Sequence, residues 1–234
     1  MHALNERFDK IVCINLANRQ DKKEKMNSKF KELGIDVEWF TPVQYGFIPN
    51  IVPLINASNK GKFNANQPFE FGAALSHYTI IKQALIEGVE KLFVFEDDVL
   101  FHKDFNDKIE KYLDTAPEDW TMLSLYSFMY EILPENKRMN SRWIRSFRSW
   151  SFMSYGMKKS LMETYIKKQD KFFTIADGVS YDMQLIGYKT MYTCIPTLCV
   201  PDTHLGSNIR GENMMNYKNN PTIVNLGIDD KNYE

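Results

Sequence analysis

The sequence predicts an α/β protein with a mostly parallel central sheet flanked by helices. Three apolar runs, KIVCINL, LFVF and WTMLSLY, lack polar alternation and are typical of strands buried on both faces. Segments with apolar residues at helical spacing separate these runs. Strands that alternate with helices favour parallel pairing through right-handed crossovers.

The first unit of this pattern is strand, helix, strand. KIVCINL predicts the first central strand, and NRQDKKEKMNSKFKELG predicts a helix with Asn18 as its N-cap and Gly34 at its end. Residues 37–40 predict a short second strand. The two strands are therefore expected to lie parallel in one sheet.

The remaining elements follow in the same alternation. Residues 41–68, rich in Pro, Gly and Asn, predict a long irregular loop, which is usually functional in a compact domain. FGAALSHYTIIKQALIEG predicts an amphipathic helix that leads into the strand LFVF. Further predicted elements are a helix over 105–113, a strand over 120–126, a strand over 151–157, a helix over 158–168, a helix over 177–187 and a strand over 189–195.

Three consecutive acids, Glu96, Asp97 and Asp98, follow the strand LFVF. The carboxyl end of such a strand is where ligands bind in open α/β sheets. Three adjacent like charges repel unless a cation, positive side chains or water offset them, and a divalent metal is the economical explanation. Alternation along an extended chain places Glu96 and Asp98 on one side and Asp97 on the other, so one or two of the three would hold the metal. The alternative is a solvated acidic loop.

Composition excludes several classes of protein. The chain has 234 residues, 44% of them hydrophobic and 25% charged, which is ordinary for a globular protein and does not indicate disorder. A net charge of -1 gives no global attraction to nucleic acid, so no nucleic-acid partner is expected. The sequence has no apolar run of about 20 residues that could span a bilayer.

The domain and compartment expectations follow from the same data. Residues 1–210 are expected to form one domain, and residues 211–234 a polar, loosely packed C-terminal tail. The N-terminus lacks the apolar core of a signal peptide, so a cytoplasmic location is expected. Cys13, Cys194 and Cys199 are expected to be reduced structural thiols.

A basic and aromatic segment spans residues 127–149. Arg142, Arg145 and Arg148 would lie along one edge if the segment were a helix. Alternatively the segment is a loop that clamps a phosphate or contacts anionic lipid at the inner membrane face. The simplest alternative is a solvated or internally paired surface.

The ordered motifs resemble those of glycosyltransferase family 25. INLANRQDK is similar to the family's opening strand and Asn-Leu-x-x-Arg signature, and GAALSHYTIIKQAL to its Ser-His helix. LFVFEDDVLF is similar to its acidic strand, SFMSYGMKKSLMETYI to its Tyr-containing strand and following helix, and YDMQL to its closing section. The resemblance runs from about Ile11 to Ile209.

The resemblance implies a GT-A-like fold and a metal-dependent, inverting glycosyltransferase. The expected donor is a nucleotide sugar, UDP-linked galactose or glucose, and the expected acceptor is a lipopolysaccharide, a lipooligosaccharide or a glycoprotein. A divalent cation, Mn²⁺ with Mg²⁺ as the alternative, would bridge the donor diphosphate and stabilise the charge of the leaving group.

The resemblance also implies roles for particular residues. Asp98 is the expected metal ligand, and His204 a late metal ligand or diphosphate contact, with an ordinary surface histidine as its alternative. The expected donor contacts are Arg19, Ser76, His77, Glu96 and Asp97. Lys22 stands where the family often has a second Arg, which weakens the expectation of a bidentate phosphate contact there.

The acceptor hydroxyl needs a general base in an inverting reaction. Asp182 matches the family's late Asp and is the expected base, with Asp177 and Asp202 as the alternatives. Ser76 and His77 are expected in a turn that leads into their helix.

Two other functions fit parts of the pattern. A metal-dependent phosphoesterase would use the acidic strand end with Asp182 and His204, but it needs two close metals and more His or Asp residues than the sequence offers near them. A non-catalytic carbohydrate-binding module on the same scaffold is the other alternative.

Overall fold

The computed structural model describes residues 1–42, 68–129, 131–171, 174–202 and 228–234. The predicted loop over 41–68 therefore lies almost wholly outside the described residues, as do His204 and most of the predicted tail. The described helices are α1 Ala3–Arg7, α2 Gln20–Leu33, α3 Pro68–Ile86, α4 Phe105–Asp114, α5 Lys159–Lys171 and α6 Ala176–Leu185. The described strands are β1 Lys10–Ile14, β2 Glu38–Phe40, β3 Lys91–Glu96, β4 Val99–Phe101, β5 Met122–Ser124, β6 Trp143–Arg145, β7 Ser154–Lys158, β8 Met191–Cys194 and β9 Cys199–Pro201.

Seven of these strands form one mixed sheet in the order β2-β1-β3-β7-β5-β8-β6. Strands β2, β1 and β3 pair in parallel, as do β5 and β8. Strand β7 is antiparallel to both of its neighbours, and the edge strand β6 is antiparallel to β8. The predicted α/β class is confirmed, and the parallel pairing of the first strand-helix-strand unit is observed.

The antiparallel strand β7 determines which loops meet at the end of β3. Phe95 of β3 pairs with Ser154, the first residue of β7, and the Glu96 N–H donates to the Met153 carbonyl at 2.8 Å. Because β7 starts where β3 ends, the chain that precedes β7 reaches the same edge of the sheet as the acids. A parallel β7 would have placed that chain at the opposite edge.

Strand β3 is buried on both faces, as its unbroken apolar run predicts. Phe93 and Phe95 point into one core cluster, which packs α1, α2 and α4 against the sheet. Leu92 and Val94 point into a second cluster, which packs α3, α5 and α6 against the other face. Each such side chain contributes about 1.5–3 kcal/mol by its removal from water. The end of β3 is consequently held from both sides.

Helix α2 presents a buried stripe of Lys22, Met26, Phe30 and Leu33. It ends at Gly34, whose φ of 74° is the left-handed conformation that glycine adopts without strain. Its N-cap is Arg19, which makes no side-chain capping bond, so the predicted Asn18 cap is wrong by one residue.

Two further expectations about elements are wrong. Ser76 and His77 lie inside α3, because that helix already begins at Pro68. The segment over 127–149 contains no helix among its described residues, and its centre is the edge strand β6. The three arginines therefore do not share one edge of a helix.

The last seven residues, 228–234, pack against β4, while the rest of the predicted tail lies outside the described residues. The backbones of Phe101 and Glu234 exchange two hydrogen bonds of 3.1 Å, and the Lys103 N–H donates to the Asn232 carbonyl at 2.7 Å. The Tyr233 hydroxyl donates to the Thr197 carbonyl at 2.8 Å. In the described part of the chain, no helix is both long and apolar enough to cross a membrane.

Candidate active site

The acids at the end of β3 form the centre of the site. Glu96 is the last residue of the strand, and Asp97 and Asp98 form the turn between β3 and β4. The predicted alternation of these side chains is wrong, because a turn does not keep the two-residue period of a strand. The Lys22 Nζ lies 3.2 Å from Asp97 Oδ1 and 3.5 Å from Asp98 Oδ2, so both aspartates face the same lysine.

Asp97 is a buried acid with two partners in the chain. In addition to Lys22, the Asn15 side-chain amide donates to Asp97 Oδ2 at 2.8 Å. Burial raises the pKa of Asp97, while the Lys22 charge and the Asn15 hydrogen bond oppose that rise. Both carboxylate oxygens of Asp97 are thus already bonded inside the protein. These bonds hold the turn, and the role of Asp97 in donor binding stays a prediction.

Asp98 is more available than Asp97 for binding a cation, since Lys22 contacts only one of its carboxylate oxygens in the described structure. Its backbone carbonyl accepts a hydrogen bond of 2.6 Å from the Asp202 N–H, which ties the turn to the end of β9. Burial, followed by the charge of Glu96, raises the pKa of Asp98 to about 7. A cation bound at this carboxylate would offset both causes.

The side chains available as ligands limit how a metal could be held here. Within the described ranges, no group of three or more His, Cys, Asp or Glu side chains is placed to hold a metal ion. Mg²⁺ is commonly held by one or two carboxylates together with substrate phosphates and waters. Asp98, with Glu96 nearby, fits that second kind of site and does not fit a site made by protein ligands alone.

Glu96 belongs to a different set of contacts, on the α3 side of the sheet. Its Oε1 lies 3.1 Å from His77 Nε2, and His77 Nδ1 lies 3.1 Å from the Tyr155 hydroxyl. An ionised carboxylate only accepts, so Nε2 carries the proton and donates to Glu96, while Nδ1 accepts from Tyr155. His77 and Tyr155 are both buried. This chain of bonds fixes the direction in which Glu96 points.

Asp177, in the first turn of α6, completes that side of the site. It lies close enough to Glu96, His77 and the backbone N–H of Ser151 for these groups to act on its pKa. Burial, followed by the charge of Glu96, raises the pKa of Asp177. The structure therefore brings together Glu96, His77, Asp98 and Asp177.

Other residues predicted for the site have different surroundings. Arg19 makes a two-point ion pair with Asp21, at 2.8 and 3.0 Å, and this hydrogen bonding lowers the pKa of Asp21 to about 2. The Ser76 hydroxyl donates to the Gly72 carbonyl of its own helix at 2.7 Å. Asp182 is exposed on α6, and Asp202 is buried and bonded to Lys25 at 2.6 Å.

The three arginines of the basic segment have separate partners. The Arg142 guanidinium lies 5.8 Å from the centre of the Tyr112 ring. The Arg145 Nε donates to the Lys189 carbonyl at 3.1 Å, and Arg148 lies 3.5 Å from Glu131. The arginines therefore do not converge on one anion-binding position in the described structure.

Sequence reasoning missed the site contacts of three residues, and two of the three carried detectable signals. Lys22 shares the helical stripe of Met26 and Phe30, and a lysine on a buried stripe needs an anionic partner. Asn15 directly follows the apolar run of β1, at the same sheet edge as the acids. Ser151 had no sequence signal, because its contact with Asp177 depends on the antiparallel insertion of β7.

The chain is similar to several curated proteins over about half of its length. It is 32% identical to Procollagen galactosyltransferase 1-A of Xenopus laevis over 129 residues, which are 50% of this chain and 21% of that protein. It is 30% identical to Procollagen galactosyltransferase 2 of Homo sapiens over 127 residues, 50% of this chain and 20% of that protein. It is also 27% identical to Inactive glycosyltransferase 25 family member 3 of Homo sapiens over 139 residues, 56% and 23% of the two chains. The chain thus matches about a fifth of the length of these relatives.

Among solved structures, the similarity is low. The chain aligns with mannose-1-phosphate geranyltransferase from Thermus thermophilus at a TM-score of 0.42 and 11% identity, covering 80% of this chain and 73% of the other. It aligns with mouse Xyloside xylosyltransferase 1 at a TM-score of 0.40 and 7% identity, covering 78% and 83%.

The similarity at the level of the family is more extensive. Residues 8–202 match the family described as "Glycosyltransferase family 25 (LPS biosynthesis protein)". This match covers the whole sheet and every described residue of the acid site, from Asn15 to Asp202. The chain therefore belongs to glycosyltransferase family 25.

Proposed function

We propose that this chain transfers a hexose, galactose or glucose, from a UDP-linked donor to a saccharide acceptor on a lipopolysaccharide or a glycoprotein. The observation that carries the proposal is the end of β3, where Asp98 lies beside Lys22 of α2 and Glu96 lies beside His77 of α3, in a member of this family. The relatives named as procollagen galactosyltransferases support a galactosyl donor.

The donor side of the proposed site is centred on Asp98. With one carboxylate oxygen beside Lys22, Asp98 can offer the other to a divalent cation, Mn²⁺ or Mg²⁺, that also contacts the donor diphosphate. Such a cation supplies Lewis-acid stabilisation of the charge that develops on UDP. Lys22 and Asn15 hold the turn in position. Arg19, only partly exposed at the start of α2, is the proposed additional diphosphate contact.

The acceptor side requires a base, and the contacts favour Asp177 over Asp182. Asp177 lies beside Glu96 and His77, whereas Asp182 is exposed and makes no ion pair or side-chain hydrogen bond in the described structure. In the proposed step the acceptor oxygen bonds to the anomeric carbon while the bond from that carbon to UDP breaks. The electron pair leaves with UDP, and the hydroxyl proton passes to the Asp177 carboxylate.

A second candidate function is a non-catalytic saccharide-binding module. A specific observation favours it, since one similar human protein carries the name Inactive glycosyltransferase 25 family member 3. The chain of bonds from Tyr155 through His77 to Glu96 supports the catalytic proposal, because a binding module would not need a carboxylate held in one direction in this way.

UDP release from UDP-galactose and UDP-glucose, measured with Mn²⁺ and without acceptor, tests the catalytic proposal. We expect slow hydrolysis by the wild type that EDTA abolishes, and a loss of at least about 100-fold in Asp98→Asn, which is a typical loss when one stabilising group is removed. Asp107→Asn, an exposed acid of α4, serves as the matched control and should keep the wild-type rate. Equal rates in the wild type and Asp98→Asn would contradict the assignment, and binding of UDP without any turnover would favour the module.

A further inference from the structure

Two non-glycine residues with left-handed backbones flank Trp150. Arg148 has φ of 51° and Ser151 has φ of 117°, and they are the two non-glycine residues with positive φ in the described chain. Such conformations persist only where the surrounding structure fixes them, and they concentrate at ligand-binding sites. The segment from Arg148 to Ser151 is therefore held in a backbone shape that its own residues disfavour.

Hydrogen bonds to two other parts of the chain hold this segment in place. The Trp150 N–H and carbonyl both bond to the backbone of Phe128, at 2.9 and 2.8 Å. The Ser149 N–H and hydroxyl both donate to Gln184 Oε1, and Gln184 Nε2 donates back to the Ser149 carbonyl at 3.2 Å. These bonds connect the segment to α6, so Trp150 keeps a fixed position relative to that helix.

Trp150 stacks on Tyr181 of α6. Their ring centres lie 4.1 Å apart with an angle of 19° between the planes, and both side chains are partly exposed. Tyr181 and Asp177 are four residues apart on one helix, so they lie on the same helical face. The aromatic pair is therefore close to Asp177, which lies within reach of the charges of Glu96 and His77.

We propose that Trp150, Tyr181 and Asp177 form the subsite for the acceptor saccharide. An aromatic platform can cover the apolar C–H face of a pyranose ring, while a neighbouring carboxylate accepts a hydrogen bond from a ring hydroxyl. The three side chains supply both groups next to the donor-side acids. This inference rests on the proposed glycosyl transfer, because that reaction requires an acceptor ring beside Glu96 and Asp98.

Fluorine NMR on protein labelled with 5-fluorotryptophan tests the subsite without relying on turnover. The chain has four tryptophans, and the Trp150 resonance is assigned from its loss in Trp150→Phe. The probes are p-nitrophenyl β-galactoside and p-nitrophenyl β-glucoside, each titrated with and without UDP and Mn²⁺. We expect the chemical shift of the Trp150 resonance to change and to saturate. The shifts of Trp143, which is buried, and of Trp120, whose ring centre lies 4.4 Å from Lys158 Nζ, should stay unchanged. In Tyr181→Leu the apparent dissociation constant should rise at least about fivefold, because half of the platform is removed.

A Trp150 resonance that no glycoside moves under either condition would overturn the subsite. A shift of the Trp150 and Trp120 resonances by the same amount would overturn it as well, since that pattern indicates non-specific contact. UDP release measured in parallel separates the two proposals. Saturable shifts at Trp150 without any UDP release would support the saccharide subsite and contradict the glycosyl-transfer proposal.

A kinetic measurement completes the test for whichever glycoside stimulates UDP release. Trp150→Ala should raise the KM for that glycoside at least about tenfold with a smaller change in kcat, because the platform contributes to binding rather than to chemistry. Trp120→Phe is the matched control, since Trp120 precedes β5 at the opposite edge of the sheet, and its kinetics should equal those of the wild type. An unchanged KM in Trp150→Ala would refute the platform.

Discussion

Lys22 supplies a positive charge inside the protein at the point where three acids converge. Its side chain is 1% exposed, and its Nζ lies within 3.5 Å of both Asp97 and Asp98. An isolated ammonium at such a depth would be costly, so the lysine and the aspartates stabilise each other. The turn after β3 can therefore form and keep its shape before any metal or nucleotide binds.

Removing that charge should destabilise the fold. We expect Lys22→Met to lower the free energy of unfolding by about 3–5 kcal/mol, because the substitution leaves Asp97 and Asp98 without their positively charged partner. Lys22→Arg keeps the charge and should lower the free energy of unfolding by a smaller amount. Urea unfolding in the presence of EDTA at pH 7.5 measures both.

The exposed Lys31 on the same helix offers the comparison. Lys31→Met should change the free energy of unfolding by no more than about 0.5 kcal/mol, as is usual for surface substitutions. A similarly small effect for Lys22→Met would mean that the aspartates find water or another cation, and the proposed internal charge would be wrong.

At the level of single residues, the sequence predicted the position of the acids but not their environment. The run LFVF followed by EDD predicted carboxylates at a sheet edge, which is what the structure contains. The side-chain directions were wrong because Asp97 and Asp98 form a turn. The pairing of Glu96 with His77 joins residues 19 positions apart, and only the packing of α3 against the sheet brings them within 3.1 Å.

Among the elements, β4 connects the acid turn to the last seven residues. His102 follows β4, is buried, and forms an isolated bridge with Tyr233, whose ring centre lies 5.4 Å away. The Asp104 N–H donates to His102 Nδ1 at 3.0 Å, and the Lys108 ammonium lies 2.7 Å from Nε2. Both neighbours are donors, so a protonated ring would face them with N–H groups on both sides.

The contact between His102 and the C-terminal residues should weaken in acid. Burial, followed by the charge of Lys108, lowers the pKa of His102, with Lys103 acting in the same direction and the Asp104 carboxylate opposing them. A histidine with a lowered pKa contributes stability above about pH 6.5, its unfolded value, and that contribution is lost as pH falls through the folded pKa. Hydrogen exchange of residues 228–234, corrected for intrinsic rates, should therefore be faster at pH 5 than at pH 7.5.

His102→Gln is the control for that experiment. Glutamine does not titrate in this range, so exchange of residues 228–234 in the variant should show little difference between pH 5 and pH 7.5 after the same correction. An equally large pH response in the variant would assign the effect to another group.

The predictability of the elements varied with how distinctive their patterns were. Strand β3 was predicted correctly because an unbroken apolar run fits little else. The segment around β6 was ambiguous because its arginines and aromatics alternate at a spacing that fits a helix or a loop equally well. The start of α3 was placed too late because Pro68 was assigned to the preceding loop, although proline is common in the first turn of a helix.

For the molecule as a whole, ligand binding should raise stability, because the proposed donor site exists in the folded chain and not in the unfolded one. A ligand at 100 times its dissociation constant adds about 2.7 kcal/mol. For a protein of this size, that corresponds to an increase in Tm of roughly 5–10 °C. We expect UDP with Mn²⁺ to produce such an increase in a thermal unfolding scan, and UDP with EDTA to produce much less.

Two controls decide what an increase in Tm means. Asp98→Asn should lose the part of the increase that depends on Mn²⁺, because it removes the proposed metal ligand. AMP with Mn²⁺ should give a smaller increase than UDP. Equal increases with and without Mn²⁺ would contradict the metal assignment while leaving nucleotide binding supported.

The topology of the whole sheet was only partly predictable. Hydrophobic runs and helical spacing indicated an α/β sheet, and local order along the chain indicated that β1 and β2 are parallel. No local signal indicated that β7 enters between β3 and β5 in the opposite direction. Such a pairing depends on contacts between residues about 60 positions apart, such as Phe95 with Ser154.

The reversed direction of β7 has a consequence for how this scaffold can diversify. Residues 147–153 lead into a strand whose ladder with β3 and β5 is made by backbone atoms, so the ladder tolerates changes in the lead-in. Substitutions there would change the proposed acceptor side of the site and leave the proposed cation-binding side on β3 and α2 intact. If the proposed function holds, exchanging this stretch between family members is a direct route to new acceptor specificity.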